Sequence, residues 1–353
     1  MIGAFINAPA LSFLSASNSP KKTDSAMSSS AAVRIAVVGD VHDDWDLEED
    51  TKALQLLQTW CFLQACFLLS CCLSTSCQWL LACILFISGD FGNENVGLVQ
   101  SLADLEFPKA VILGNHDSWK TRQFSGKRKD GVQLQLECLG EEHVAYRRQD
   151  FPTIKLSIVG GRPFSCGGEQ IFRKKLLSAR YGVQDMDGSA KRIYEAAMGT
   201  PKDHLIILLA HNGPTGLGSD LKDICGKDWV FGGGDHGDPD LAQAISLLKE
   251  TSKFPSPLVV FGHMHKELAH GNGLRKMVVD ADNTIYLNGA IVPRVKSLVD
   301  EPGTPNKIGG TLRVFTMVEI LDGRVDKIAE TWVTVNGDAT ALQKEHILYN
   351  HGG

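Results

Sequence analysis

The stretch Ile112-Leu113-Gly114-Asn115-His116-Asp117 runs an apolar segment into a glycine, then into an amide, an imidazole and a carboxylate. An apolar run closed by glycine reads as a buried strand ending in a tight loop, with polar chemistry at its C-terminal edge. The pattern recurs in Val37-Val38-Gly39-Asp40-Val41-His42, Phe86-Ile87-Ser88-Gly89-Asp90, Leu208-Leu209-Ala210-His211-Asn212 and Val260-Phe261-Gly262-His263-Met264-His265. Apolar strands that repeatedly end in Asp, Asn or His point to a layered α/β fold, because open α/β sheets collect their sites at the carboxyl ends of strands. One histidine at a strand end is ordinarily a satisfied core residue. The repetition makes a single converging site the simplest reading.

The side chains offered at these ends are Asp40, His42, Asp90, Asn115, His211, His263 and His265. They are oxygen and nitrogen donors, with no thiolate among them. Such a set suits Mn, Fe or Zn in a working site better than a structural zinc, which usually takes cysteines.

Taken in this order the motifs resemble the calcineurin-like metallophosphoesterase superfamily, whose pattern is Asp-x-His, Gly-Asp, Gly-Asn-His-Asp/Glu, a lone His, then Gly-His-x-His. The resemblance covers about residues 33 to 335. It implies an α/β fold with a dinuclear metal site at a sheet edge. The fold class expected is a four-layer αββα sandwich, with two mixed β-sheets flanked by helices. The resemblance assigns Asp40, His42 and His265 to a first metal, and Asn115, His211 and His263 to a second, with Asp90 bridging. It makes His116 the general acid, steadied by Asp117. The longer contexts, Gly-Asp-Phe-Gly-Asn-Glu-Asn at 89 to 95 and Ala-His-Asn-Gly-Pro at 210 to 214, are most similar to a cyanobacterial and plant branch. Protein Ser/Thr phosphatases carry an Arg-Gly shortly after the second motif, which Gly92-Asn93-Glu94-Asn95 lacks. The implied activity is hydrolysis of phosphate esters, monoester or diester. The alternative is a metal-stabilised scaffold that binds a partner without turnover. The complete donor set and the His116-Asp117 pair argue against it.

The chain has 353 residues and a formal net charge of −6. It carries no global basic field that would recruit nucleic acid. Of nine cysteines, Cys61, Cys66, Cys71, Cys72, Cys77 and Cys83 crowd one apolar stretch, and no spacing repeats a zinc-finger pattern. Free thiols in a reducing compartment are expected. Residues 1–32 are rich in Ser and Ala with few charges. They read either as a disordered leader or as an organellar transit peptide, and the branch favours a chloroplast over the cytoplasm.

The catalytic domain is expected over 33–336. Asp46 should cap a helix through Gln58, with Leu47, Leu54 and Leu57 on its core face. No charged residue occurs from Trp60 to Ile87. That run is long enough to span a bilayer, yet Asp40 and Asp90 flank it. Both must reach metals ~3.5–4 Å apart, which one membrane crossing would forbid. No membrane span is therefore expected. Leu81 to Ile87 can form the second strand, leaving 59–80 as a Cys-rich apolar insertion or an error in the gene model.

Downstream, Lys120, Arg122, Lys127, Arg128 and Lys129 form a basic stretch. It reads as a solvated loop or as a rim that attracts phosphate. Only Trp119 and Phe124 lie near it, too few aromatics for a single-strand nucleic-acid surface. Arg162 either forks onto a substrate phosphate or belongs to an ordinary turn. Helices are expected at Gly167 to Arg180 and Ser189 to Met198. The loop at 232–238 supplies Asp235 and His236 as uncommitted extra ligands. Val278-Val279, Ile285 to Leu287, Leu312 to Ile320 and Ile328 to Val335 read as antiparallel strands of a second sheet. Residues 337–353 read as a helix or tail.

Overall fold

The computed structural model describes residues 32–69, 82–251, 258–271, 273–298 and 310–352. Strand β1 (Ala32–Val38) leads into α1 (Leu47–Leu69), β2 (Ala82–Ile87), α2 (Val96–Ala103), β3 (Lys109–Val111) and α3 (Gly131–Leu139). Then follow β4 (Arg148–Phe151), β5 (Leu156–Gly160), α4 (Lys174–Tyr181), α5 (Met186–Ala197), β6 (Leu205–Leu209), α6 (Pro239–Thr251) and β7 (Leu258–Phe261). The chain closes with β8 (Val278–Ala281), β9 (Thr284–Asn288), β10 (Val295–Ser297), β11 (Thr311–Leu321), β12 (Arg324–Asn336) and β13 (Ala339–Asn350).

One sheet runs β13-β12-β11-β1-β2-β3, with β10 on β11; the other runs β4-β5-β6-β7-β9-β8. Strands β1, β2 and β3 are parallel, as are β5, β6, β7 and β9. The remaining pairings are antiparallel.

Period-two alternation explains the layering. Val33, Ile35 and Val37 of β1 join Ile84 and Phe86 of β2 in a core that also holds Ile158, Ile207, Leu209, Leu258 and Val260 of the other sheet. The intervening Ala36, Val38, Leu85 and Ile87 pack instead with Ala53, Leu54 and Leu57 of α1 and Leu98, Val99 and Leu102 of α2. Val159, Ile206 and Leu208 belong with Ile193 of α5 and Leu241 and Ala244 of α6. Each large aliphatic side chain buried this way contributes about 1.5–3 kcal/mol. Both faces of both sheets are therefore apolar, and the expected four-layer α/β sandwich forms.

Several local expectations are corrected. The late strands do not form one second sheet. β8 and β9 extend the sheet of β7, whereas β11 and β12 extend the sheet of β1. Residues 337–353 are neither helix nor tail for most of their length: β13 pairs with β12 from Asn336↔Ala339 to Lys327↔Asn350. The helix expected from Gly167 starts only at Lys174. Gly167 and Gly168 hold φ of 77° and 73°, and Arg173 sits at 53°, which a right-handed helix cannot take.

Helix α1 runs past Gln58 to Leu69, so the first half of the 59–80 insertion continues that helix. Residues 70–81 and 1–31 lie outside the described residues. Among the described residues no helix is long and apolar enough to cross a membrane. Cys138, Cys166 and Cys225 are free thiols.

Candidate metal centre

Every donor singled out in the sequence follows the C-terminal end of a parallel strand. Asp40 and His42 follow β1, Asp90 follows β2, Asn115 follows β3, His211 follows β6, and His263 and His265 follow β7. The loops turn sharply. Asp40, His42, Asp43, Asp90 and His263 all hold positive φ, between 45° and 68°. Asp and His tolerate this region better than most non-glycine residues, and such strain concentrates at functional sites. Gly114 is required by space: a Cβ there would lie 2.2 Å from Asp90 Oδ1 and 2.4 Å from the His211 ring.

Two donor groups result. Asp40, His42 and His265 form one, and Asp90, His211 and His263 the other, with the ligand atoms within each group no more than 4.8 Å apart. The groups abut. The His263 amide donates to Asp40 Oδ2 at 2.7 Å, and the His42 and His116 rings meet edge to face at 5.1 Å. In the second group the His211 Nδ1 N–H donates to the Ser88 carbonyl, which turns a bare Nε2 toward Asn115 Oδ1 at 2.9 Å. Ring orientation through the far nitrogen is how proteins prepare a histidine ligand. In the first group His42 Nε2 faces His265 Nε2 at 3.0 Å. Asp40 Oδ1 is buried with no hydrogen-bond partner. A buried carboxylate oxygen without a donor costs free energy unless a cation satisfies it. These residues fit a pair of metal ions.

Electrostatics agree with that fit. Burial, then the neighbouring Asp90 carboxylate, pushes the Asp40 carboxyl well above its usual range. Burial also works against ionising Asp90. The His211, His263 and His116 imidazoles outweigh it and hold that carboxyl low. Burial pushes His263 well below the ordinary imidazole range and His265 down to about 4, with the neighbouring imidazoles adding to both. Neutral imidazoles keep the lone pairs that metal ligation needs.

His116 opens a single 3₁₀ turn, His116–Ser118, after β3. Its Nδ1 lies 2.8 Å from Asn93 Oδ1, and its ring stacks on Trp119 at 4.8 Å and 9°. Asp117 does not steady that ring. Its carboxylate is fully buried and accepts the backbone N–H groups of Asp90, Phe91 and Gly114 at 2.9, 2.9 and 2.7 Å. It ties the second and third ligand loops together. Asn93 is the partner that sequence reasoning missed. The signal was its place in the second-motif loop, three residues after Asp90.

Arg162 is not at the substrate face. It is 1% exposed and pairs with Asp238 at 2.8 Å and Asp240 at 2.9 Å. Asp238 also accepts from Ser165 and Asn212, so the arginine braces the loop beside His211. Asp235 accepts from Thr215 and from the amides of Gly216 and Gly237, which makes it a loop tie. His236 stacks near His263, ring centroids 5.8 Å apart, and meets Trp229 edge-on. It walls the second group.

Comparison with curated proteins gives no match. Among solved structures the chain is similar to GAP50, the anchor in the inner membrane complex of Plasmodium. The two are 11% identical, with 91% of this chain and 90% of that chain covered and a TM-score of 0.40. A likeness that distant carries nothing about function or partners. The profile of the calcineurin-like phosphoesterase family matches residues 33–267, a span that takes in every donor described above together with His116. The chain belongs to the calcineurin-like phosphoesterase family.

Proposed function

We propose that this chain is a dinuclear metal-dependent hydrolase of phosphate esters. The observation that carries the reading is the abutting pair of donor groups, with Asp40 Oδ1 of the first buried and unpartnered. Asp40, His42 and His265 would hold one ion, and Asn115, His211 and His263 the other, with Asp90 shared. Mn, Fe and Zn all suit these donors. When bound, the ions polarise phosphoryl oxygens and acidify water at neutral pH.

The chain's own part in the chemistry centres on His116. The Nδ1 N–H is held by Asn93 Oδ1 and one ring face is covered by Trp119, so the imidazolium form carries its second proton on Nε2 and would deliver it to the leaving oxygen, ending as the neutral Nδ1–H imidazole. The buried Asp117 keeps the loops of Asp90 and Asn115 in register while this happens.

The experiment is His116→Ala assayed on two ester classes with metal content measured alongside. Losing the proton donor should slow alkyl phosphates by ~10²–10⁴-fold and leave nitrophenyl phosphates, which need little protonation, far less affected. Equal losses on both classes with metals retained would rule out the acid role. No hydrolysis of any phosphate ester by the metal-loaded wild type would remove the enzyme reading itself.

A further inference from the structure

Next to the ring that stacks on His116, the chain turns into an open depression of about 590 Å³ lined by Lys120, Arg122, Arg128, Lys129 and Asp130. Its carboxylates are already engaged. Glu94 accepts the amides of Lys120 and Thr121 and the Thr121 hydroxyl. Asp130 accepts the amides of Ser125 and Gln133, the second as the cap of α3. Lys129 pairs with Glu137 at 2.6 Å. Lys120, Arg122 and Arg128 form no ion pair with any described residue.

A second guanidinium stands close by. Arg173 donates to the Ser118 and Trp119 carbonyls. Burial and the Arg122 charge together press its pKa down. Two guanidiniums placed together repel, Glu94 offsets that only in part, and a polyanion relieves the rest. The depression also has fixed ends. Glu94 holds its start, and the Glu94 amide itself donates to the His116 carbonyl at 3.1 Å. Trp119, the residue before Lys120, is 50% exposed and lays its ring over His116.

We propose that this depression binds a second anionic group carried by the leaving group, so that the preferred substrates are small phosphate esters bearing a further phosphate. The inference rests on the phosphoesterase reading of the site. The phosphate to be cleaved sits at the donor groups. The remainder of the molecule crosses Trp119, and its distal phosphate meets Arg122, Arg128 and Lys120. Forked guanidinium contacts favour a phosphate dianion over a neutral sugar.

The test compares fructose bisphosphate with fructose monophosphate on the metal-loaded full chain. The wild type should favour the bisphosphate by on the order of tenfold or more in kcat/KM, expressed in KM. In the Arg122→Ala/Arg128→Ala double variant that ratio should collapse toward one, and Arg122→Lys/Arg128→Lys should restore part of it. A wild type with no preference, or a double variant that keeps the preference, overturns the proposal. A separate readout needs no turnover. Calorimetry of fructose bisphosphate with the protein before metal loading should show binding that weakens about tenfold or more in the double alanine variant. Equal binding by both forms, or none by the wild type, overturns the proposal while leaving the phosphoesterase reading standing. Failure of all ester hydrolysis with that binding intact would sink the hydrolase and keep the anion site.

Discussion

The two donor groups differ in how much of their geometry the chain supplies by itself. In the Asp90–His211–His263 group, His211 is fully buried and its Nδ1 is fixed by the Ser88 carbonyl. Asp90 accepts the His116 amide at 2.8 Å, and its own amide is held by Asp117. In the Asp40–His42–His265 group the imidazoles are only partly buried. They face each other nitrogen to nitrogen, and Asp40 Oδ1 has no partner. One half is built by the polypeptide before anything binds. The other is finished by what it binds.

Asp90→Ala should have the largest effect, because it removes the carboxylate lying against both groups. Metal content should fall from two per chain to one or none. Turnover should drop by ~10³-fold or more, the scale of several kcal/mol of lost Lewis-acid assistance. Two metals per chain retained in this variant, by elemental analysis, would break the picture of a shared ligand.

The contrast sharpens with His211→Ala set against His42→Asn, both unfolded in denaturant without metal. Losing the buried His211 strands the Ser88 carbonyl and should cost about 1–3 kcal/mol. Exchanging the half-buried His42 for asparagine, which tolerates its left-handed φ of 45°, should change stability by no more than about 0.5 kcal/mol. Equal destabilisation would erase the distinction between the halves.

A pH dependence reads the scaffold behind the built half. His143 accepts the Leu113 amide at 3.3 Å, at the end of the strand that carries Asn115. Burial pushes its pKa down to about 3, with the Arg180 charge adding. In the unfolded chain it titrates near ~6.5. Its neutral form therefore stabilises the fold above ~6.5, and this contribution fades as pH falls from ~6.5 to about 3. Across that window it adds up to about 1.4 kcal/mol per pH unit to the slope. His143→Gln should flatten the acid limb of the stability curve by that amount. An unchanged slope would show that His143 is not held neutral.

The donors were legible in the sequence because each sits within a few residues of the strand that delivers it. What escaped was set by long-range partners. Arg162 looked free because Asp238 and Asp240 lie more than seventy positions away. The division of β8–β9 and β11–β12 between sheets depends on which strand each meets, and no local pattern encodes that. Strand β13 hid for another reason. Lys344, Glu345 and His346 are all exposed, so it shows no apolar alternation, and only the Asn336-Gly337-Asp338 turn marked the hairpin. The family resemblance gave Asp117 to the neighbouring ring, whereas its carboxylate serves three backbone amides.

The left-handed backbone at Asp40, His42, Asp90 and His263 bears on how relatives of this chain should be interpreted. Those positions are filtered for conformation as well as for ligation. A descendant that had lost its ions would still be under pressure to keep Asp, Asn, His or Gly there, because other side chains would strain the loops. Their persistence in a distant cousin is thus weak testimony for catalysis. His211 and His265 are absent from the left-handed set, and Asn115 sits at φ −70°. No backbone demand protects these three, so they are the positions whose loss would first betray a cousin that no longer turns over substrate.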